Sequence, residues 1–547
     1  MDTQRLFLLI VFCLSLFLLV DAWQREKSPT PTPQAEHPAK TQQIAPTPSE
    51  KLAAAQQAPT TPQAAAAQAG QRISVKTDYL LAEIDTAGGD LRRLELLKQR
   101  DTLDKRKNFV LLEFEPEHIY VAQSGLIGHG LPTHKTQFSA EATSYELKPG
   151  AEHLEVRLTA PEVDGIKVTK VYTFRKSSYL IDVSYEISNN STNPVQPFAY
   201  FQFLRDGKSP AGETELVPTY TGPAIYTEQE KFEKIEFSSI DKGKVKYPQN
   251  ADNGWIAMLQ HYFVAAWLPK DKTPREFYAK KLGEDLYSVG VILPVTKIEP
   301  GKNATVTTPL YAGPQEQDSL SKLAPGLGLA VDYGWLTVIA LPLFWVLSWL
   351  HKWVQNWGAA IILLTVIIKL LFYPLSATSY RSMAKMRVLA PKLQKIKEQY
   401  GNDRQRLHQA MMELYKTEKI NPLGGCLPIV VQIPVFIALY WVLLASVELR
   451  HAPFALWITD LSAPDPYYVL PVIMGITMII QSRLSPEPPD PIQARVMKIM
   501  PIAFSVFFFF FPAGLVLYWL INNILSIAQQ WQITRVIERA KPAHGKR

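Results

Sequence analysis

Long apolar stretches in the C-terminal part of the chain constrain its fold more than any other feature. They occupy residues 357–373, 427–446, 467–480 and 496–533. A helix needs about 20 apolar residues to cross about 30 Å of hydrocarbon. The last stretch is near twice that length, and Pro512 and Gly514 interrupt it, so it predicts two antiparallel helices joined by a tight turn. With a further apolar run at 6–20, the sequence predicts a multi-span α-helical membrane protein with about six spans.

The N-terminal part of the chain predicts an anchor, a linker and a sheet domain. The run at 6–20 fits either a cleaved signal peptide or a retained anchor, which would occupy 1–23. Residues 24–71 are rich in Pro, Ala, Thr and Gln and predict a disordered linker. Residues 72–323 alternate apolar and polar side chains, as at Leu154, Val156 and Leu158, which predicts one large β-sandwich.

Positive charge sets the predicted orientation in the membrane. Ten Lys and Arg residues fall between residues 381 and 419, and the tail at 537–547 is also basic. Such segments lie on the cytoplasmic side, so both termini are predicted inside and the sandwich outside. This basic surface suits anionic lipid headgroups or the surface of a ribosome.

The basic segment at 376–420 predicts a helical hairpin that turns near Asn402, with Asp403 capping its second helix. Its apolar side is rich in methionine, whose flexible side chain can repack around varied apolar partners. The alternative is that these side chains only hold the two helices together. The methionines are Met383, Met386, Met411 and Met412.

The segment at 324–356 contains a seventh apolar run that Pro342 is expected to interrupt. Its tryptophans predict a helix lying in the membrane interface. They are Trp335, Trp345, Trp349 and Trp353.

Lys369 lies inside an apolar run at residues 359–372. An ionisable residue in a span indicates a functional position lining a polar cavity. The alternative is snorkelling, because about five residues separate Lys369 from Pro374, roughly 7 Å of helix. Both interpretations remain open from this residue alone.

The sequence offers no motif for hydrolysis, nucleotide binding or metal binding. HExxH, GxSxG and GxxxxGK[ST] patterns are absent, and the two cysteines, Cys13 and Cys426, form no metal-binding pair. We therefore expect neither an enzyme nor a cofactor or metal.

Several motifs resemble the YidC membrane protein insertases of Gram-negative bacteria. The strongest lie at residues 421–428 (NPLGGCLP) and 432–436 (QIPVF), and further matches lie at 332–335, 380–386, 452–461, 465–468 and 514–518. The resemblance implies a retained first span, a periplasmic domain shaped like a galactose mutarotase without its activity, and an insertase core at 357–536. It also implies a polar groove that is open to the cytoplasm and to lipid, and closed on the outside.

The resemblance carries two sets of groove residues to this chain by position. The polar set comprises Lys369, Thr365, Gln432, Asn522 and Asn523. The substrate-contacting apolar set comprises Ile433, Pro434, Phe436, Phe508, Tyr518 and Trp519. Relatives usually have Arg at the position of Lys369 and Tyr at that of Trp519, so charge and aromatic character are kept.

The implied function is a non-enzymatic insertase and chaperone for nascent membrane proteins, with the Sec translocase, the ribosome and anionic lipids as partners. Two alternatives remain from the residues. A small-anion transporter would show inverted repeats and Gly-broken helices, which the sequence lacks. A membrane-anchored periplasmic carbohydrate-binding protein would bind sugars through the sandwich.

Overall fold

The computed structural model describes residues 70–210, 219–270, 272–401, 403–418, 427–484 and 491–539. The predicted anchor, the linker up to residue 69, the final residues of the basic tail and both cysteines lie outside the described residues. The chain divides into two compact units between Gly313 and Pro314.

The first unit is built almost entirely of strands. In chain order they are β1 Arg72–Lys76, β2 Leu80–Asp85, β3 Asp90–Arg100, β4 Asn108–Glu115, β5 His118–Ile127, β6 Ser139–Ala140, β7 Ser144–Glu146, β8 His153–Thr159, β9 Ile166–Arg175, β10 Leu180–Asn189, β11 Phe198–Asp206, β12 Gly222–Thr227, β13 Lys231–Lys234, β14 Asn250–Ala251, β15 Trp255–Gln260, β16 Phe263–Trp267, β17 Arg275–Gly283, β18 Leu286–Pro294 and β19 Lys302–Pro314. A short helix, α1 Phe237–Asp241, follows β13.

The strands form two sheets. One has the order β14-β17-β18-β11-β5-β4-β3-β2-β1-β7, and the other has the order β13-β12-β15-β16-β19-β10-β9-β8-β6. The predicted alternation is confirmed in β10, where Ile181, Val183, Tyr185 and Ile187 are all buried. Because side chains alternate between faces along a strand, these four residues line one face of their sheet.

Side chains from the two sheets pack against each other. Trp267 of β16 lies with its ring centroid 5.1 Å from Phe201 and 5.9 Å from Phe203, both on β11 of the other sheet. The Ser124 and Tyr185 hydroxyls also meet across the sheets at 3.0 Å. The predicted sandwich is therefore confirmed as two layers around a shared core.

The second unit is helical. Its helices are α2 Gln317–Leu323, α3 Thr337–Val354, α4 Trp357–Leu371, α5 Tyr373–Tyr400, α6 Arg404–Thr417, α7 Leu427–Ala445, α8 Val469–Leu484, α9 Pro491–Phe507 and α10 Ala513–Arg539. The division at Pro314 places α2 with the helices, whereas the sequence assigned residues up to 323 to the sandwich. The reason is that α2 packs against the short helical turn Leu327–Ala330 that follows it.

Two local predictions in this unit are confirmed. The Asp403 carboxylate accepts hydrogen bonds from the backbone N–H groups of Gln405 and Arg406 at 3.1 and 3.0 Å, so it caps α6. The chain also breaks between α9 and α10, where Phe508–Phe510 forms a short 3-10 turn before α10 begins at Ala513. Pro512 and Gly514 therefore mark the turn that their chemistry predicted.

The expected interruption at Pro342 is wrong. Helix α3 continues through Pro342 from Thr337 to Val354. Proline removes one intrahelical hydrogen bond and crowds the preceding turn, but Pro342 lies near the start of α3 and its side chain is exposed, so the helix tolerates it.

One helix among the described residues, α3, is by itself long and apolar enough to cross a membrane. Helix α4 and the first part of α5, Tyr373–Met386, pass the same criterion together, but they are bent by 67°. The apolar helices Val431–Ala445 and Val469–Leu484 are shorter. The count of six spans therefore stays a prediction.

Candidate functional site

Lys369 lies in the last turn of α4, facing the packed helices. Its side chain is only 5% exposed, and its Nζ donates a hydrogen bond of 2.8 Å to Ser526 Oγ on α10. Helices α4 and α10 pack directly against each other. The ammonium group therefore lies between two helices and not at an exposed end of α4.

Ser526 is a site residue that the sequence analysis missed. Its Oγ donates a hydrogen bond of 2.7 Å to the Asn522 carbonyl oxygen one turn earlier, and the Tyr380 side chain of α5 lies beside it. A hydroxyl has one proton and two lone pairs, so the Ser526 lone pairs are left to accept from Lys369. Ser526 lies four residues after Asn522, on the same face of the helix, and this spacing could have identified it from the sequence.

Two more predicted residues join this arrangement. The Gln432 Nε2 of α7 donates to Asn522 Oδ1 at 3.4 Å, which links α7 to α10. Thr365 lies one turn before Lys369 and is 1% exposed, and its hydroxyl donates to its own helix at the Ile361 carbonyl oxygen at 2.7 Å. Polar side chains of α4, α7 and α10 therefore line one shared interior.

Asn523 does not belong to this group. Its Nδ2 donates to Thr477 Oγ1 of α8 at 3.5 Å, and both side chains are buried. Consecutive residues on a helix point about 100° apart, so Asn522 and Asn523 reach different neighbours. The sequence placed both near the predicted groove; in the structure Asn522 contacts Gln432 of α7, and Asn523 contacts Thr477 of α8.

The apolar set is only partly a surface. Ile433 is 46% exposed, whereas Phe508 and Tyr518 are 4% and 1% exposed. The Phe436 ring stacks on Tyr518, with ring centroids 5.8 Å apart, and meets Trp519 edge-on at 4.4 Å. Trp519 also packs on Phe508 at 5.3 Å. Aromatic packing thus places Phe508 and Tyr518 in the core beneath the predicted surface formed by Ile433 and the half-buried Pro434.

Trp519 carries a polar group with unmet hydrogen-bonding capacity. Its indole Nε1 is buried and has no hydrogen-bond partner among the described residues. Indole N–H is a donor only, and an unmatched buried donor costs about 1–3 kcal/mol. Trp519 therefore carries a buried donor that no described residue satisfies.

The hairpin formed by α5 and α6 keeps its methionines accessible to different degrees. Met383, Met386 and Met411 are half-buried, and Met412 is 40% exposed. Helices α5 and α6 pack against each other. The structure therefore accommodates both earlier interpretations, because the half-buried methionines contribute to packing and Met412 remains on the surface.

The loop between α7 and α8 is tightly tied. Asp460 accepts a hydrogen bond from the backbone N–H of His451 at 3.0 Å and contacts the imidazole Nδ1 of the same residue at 2.8 Å. Asp465 accepts from Trp457 Nε1 at 3.0 Å and from the Leu470 backbone N–H at 2.8 Å. These bonds fix the loop over this end of the helices.

The electrostatics of the interior are one-sided. Among the described residues, Lys369 forms no ion pair, and its polar neighbour is a neutral hydroxyl. The described part of the chain also holds no group of His, Cys, Asp and Glu residues suited to a metal ion. The described side chains around Lys369 thus present one positive charge and neutral hydrogen-bonding groups.

Comparison with known proteins matches both units. Residues 72–346 match the family model described as YidC periplasmic domain, and residues 349–541 match the one described as 60Kd inner membrane protein. A protein of Nitrosospira multiformis named Membrane protein insertase YidC is 64% identical over 98% of both chains.

Two solved structures are also similar to this chain. The crystal structure titled as an active YidC insertase with its first transmembrane domain resolved covers 84% of this chain and 92% of its own, at 19% identity and a TM-score of 0.39. The galactose mutarotase related enzyme from Lactobacillus acidophilus covers 44% of this chain and 97% of its own, at 11% identity and a TM-score of 0.30. No sugar chemistry follows from the second similarity.

The strand-rich unit is a periplasmic domain and the helical unit is an inner-membrane domain, as the two matched models describe. Sequence identity of 64% extends over almost the whole length. The chain therefore belongs to the YidC family of membrane protein insertases.

Proposed function

We propose that this protein inserts nascent membrane proteins into the inner membrane, without nucleotide or cofactor, and assists their folding there. The observation that carries the proposal is the position of Lys369, a cation without a counter-charge among the described residues, held between α4 and α10 by a hydroxyl. An uncompensated charge in an apolar unit is costly, so it is expected to have a function.

The surface of the helical unit supports a membrane location. Soluble proteins rarely expose contiguous apolar patches of more than a few hundred Å². Here α4, α8 and α9 expose many apolar side chains, namely Leu363, Ile367, Leu370, Leu371, Val472, Ile473, Ile476, Ile480, Ile499, Ile502, Phe504, Val506 and Phe507. We infer that α4, α7, α8, α9 and α10 each span the bilayer, with the predicted anchor as a sixth span and both termini in the cytoplasm.

Helix α3 is inferred to lie in the outer interface rather than to span. Trp345, Trp349 and Trp353 are 68%, 46% and 74% exposed and follow one side of the helix. Over eight residues they extend along about 12 Å of helix axis. A helix lying in the membrane plane keeps all three at the interfacial depth that tryptophan prefers, whereas a spanning helix spreads them across the hydrocarbon.

The proposed mechanism begins with a short polar segment of the substrate entering from the cytoplasm between α4, α5 and α10. Lys369 attracts acidic and polar groups of that segment, while the half-buried Gln432 offers neutral hydrogen bonds. The substrate's own helix moves along Ile433 and Pro434 into lipid. Burial of its apolar side chains, about 0.8 kcal/mol per CH₂, supplies the free energy.

The partners follow from this route. The α5–α6 hairpin is proposed to receive substrates at the cytoplasmic mouth, where its basic side chains meet anionic lipid headgroups or the ribosome. Association with the Sec translocase is proposed for substrates with large translocated domains, because one buried cation cannot compensate many polar groups at once.

The test uses the purified protein in lipid vesicles and single-span substrates that differ only in an acidic, neutral or basic tail. Lys369→Arg should insert all three like the parent, because the charge is kept. For Lys369→Glu, the insertion rate of acidic-tail substrates should be at least about tenfold lower than that of basic-tail substrates, because like charges repel in a medium of low dielectric.

Lys369→Leu serves as the matched neutral variant and should lose the preference for acidic tails without gaining one for basic tails. Protease protection of the tail inside the vesicles measures insertion. Equal insertion of all three substrates by the parent, Lys369→Glu and Lys369→Leu proteins would overturn the proposal for this site.

A further inference from the structure

Ser526 is the residue that fixes where the Lys369 charge lies. The hydrogen bond from Nζ to Ser526 Oγ joins residues 157 positions apart, and Ser526 itself is 3% exposed. A lysine side chain has a flexible four-carbon stem, so burial alone does not select one position for its ammonium. A specific hydrogen-bond acceptor selects that position.

The orientation of the Ser526 hydroxyl suits it to accept from a cation. Its single proton is directed to the Asn522 carbonyl oxygen at 2.7 Å, within the same helix. That bond turns the oxygen lone pairs away from the α10 backbone. Lys369 approaches the oxygen from α4, and Tyr380 approaches it from α5. Three helices therefore meet at one oxygen atom.

A neutral acceptor has a further consequence. A carboxylate at this position would neutralise Lys369 and compete with an acidic substrate group. A hydroxyl stabilises the ammonium by one hydrogen bond and leaves its charge uncompensated. An entering carboxylate then forms the stronger, charge-assisted bond and can displace Ser526 from Nζ.

We propose that Ser526 is a positioning residue that holds the Lys369 ammonium at the α4–α10 contact, ready for exchange onto acidic groups of the substrate. This inference rests on the proposed role of Lys369 in insertion. It assigns to Ser526 no contact with the substrate, because Ser526 acts through Lys369.

The experiment measures the ratio of insertion of acidic-tail to basic-tail substrates by each variant in vesicles. The ratio is internal to each preparation, so a loss of folded protein lowers both rates and leaves it unchanged. Ser526→Ala should lower the ratio roughly three- to tenfold, the range expected for the loss of one hydrogen bond. Ser526→Thr should retain it, because a threonine hydroxyl can bond the same helix carbonyl and still accept.

Ser482→Ala is the matched control. Ser482 is a half-buried serine of α8 whose Oγ donates to the Ile479 carbonyl oxygen of its own helix at 2.9 Å, as Ser526 does to Asn522. Its removal deletes a comparable hydroxyl without touching Lys369, so the ratio should stay at the parental value. A fall in this control equal to that of Ser526→Ala would show a general effect of lost helix hydroxyls and would overturn the inference.

A double-mutant cycle separates this inference from the function on which it rests. In a Lys369→Leu background, Ser526→Ala should change the ratio no further, because the residue through which it acts is gone. If Lys369→Leu abolishes the acidic preference but Ser526→Ala preserves it, Ser526 does not position the charge and the proposed function stands. If Lys369→Leu itself leaves the ratio unchanged, the proposed role of Lys369 fails, and with it this inference.

Discussion

Each unit of the molecule buries a lysine, and the two are treated differently. In the sandwich, Lys170 of β9 is fully buried near Asp90, donates to the Gly88 carbonyl oxygen at 3.3 Å and lies over the rings of Tyr172 and Tyr185. In the helical unit, Lys369 is 5% exposed and has one hydroxyl as its hydrogen-bond partner among the described residues. One lysine is matched by a negative group within its own domain, and the other is not.

The buried Asp90 and Lys170 of the sandwich partly compensate each other's charge. Burial raises the pKa of the Asp90 carboxyl and lowers the pKa of the Lys170 ammonium, and each group's charge opposes the shift of the other. Gln123 donates a hydrogen bond of 2.7 Å to Asp90 and accepts one of 2.8 Å from Gln202. Asp90 Oδ1 has no hydrogen-bond partner among the described residues, so Gln123 at Oδ2 and the charge of Lys170 are what hold this carboxyl in the core.

The comparison teaches where to look for function in a chain with several buried charges. A buried charge that its own domain compensates contributes to structure, and removing one partner leaves the other stranded. A buried charge without a counter-charge is expected to await a ligand. The two lysines should therefore respond in opposite ways to removal of the charge.

The largest effect is expected for Lys170→Met. The substitution leaves Asp90 buried without its ammonium, and it should lower the free energy of unfolding of the sandwich by about 3–5 kcal/mol. Urea denaturation of the whole protein in detergent, followed by the circular dichroism of the strands, measures this loss. The double variant Lys170→Met with Asp90→Asn should recover most of it. A single variant as stable as the parent would show that the pair is not a compensated one.

A smaller effect of about 3 kcal/mol is expected from acid on His134, another buried group satisfied within the sandwich. Burial, followed by the charges of Lys135 and Lys170, lowers its pKa from 6.5 to about 4. Between these values the unfolded chain binds a proton that the folded domain excludes, so stability is lost as the pH falls from 6.5 to about 4. No His134 contribution to the pH dependence is expected above pH 7.

The check is the difference in unfolding free energy between the parent and His134→Gln across this pH window. The parent should lose more stability on acidification, because glutamine does not titrate. The His134 Nδ1 contacts the Tyr200 hydroxyl at 2.6 Å, and the variant loses this contact. The variant should therefore be less stable than the parent at neutral pH, and this constant offset is separate from the pH-dependent loss in the parent. Parallel curves for the two proteins would contradict the assignment.

The smallest effect on stability is expected for Lys369→Leu. No carboxylate among the described residues is left behind, and a charge that cost free energy in an apolar unit is removed. Thermal unfolding in detergent, followed by helical circular dichroism, should give a midpoint equal to or above that of the parent. A loss as large as that of Lys170→Met would place both lysines in the same structural class.

Sequence alone could predict what depends on local pattern. The alternation in β10 and the capping carboxylate of Asp403 are properties of short segments, and both are present in the structure. The order of strands in the sheets could not be predicted in the same way. It pairs β1 with β7 and β11 with β5 and β18, and such long-range pairing leaves no periodicity in the sequence.

The candidate site shows the same limit. Lys369 stands out because a charge interrupts an apolar run, whereas its partner Ser526 is a small residue that draws no attention in a helix. Asn522 and Asn523 look equivalent in the sequence, and only the rotation of α10 against α7 and α8 separates them. Phe508 and Tyr518 were expected on a surface, and aromatic packing, which requires the positions of three helices, buries them.

The 67° bend between α4 and α5 has a mechanical consequence. A single residue, Phe372, joins the two helices, and Lys369 lies three positions before it. With its 28 residues, α5 forms an arm about 42 Å long. A rotation of roughly 5° about the joint moves the far end of this arm by about 4 Å, while the near end moves hardly at all. The geometry of this joint therefore couples any large displacement of the hairpin tip to only a small displacement beside the Lys369 charge.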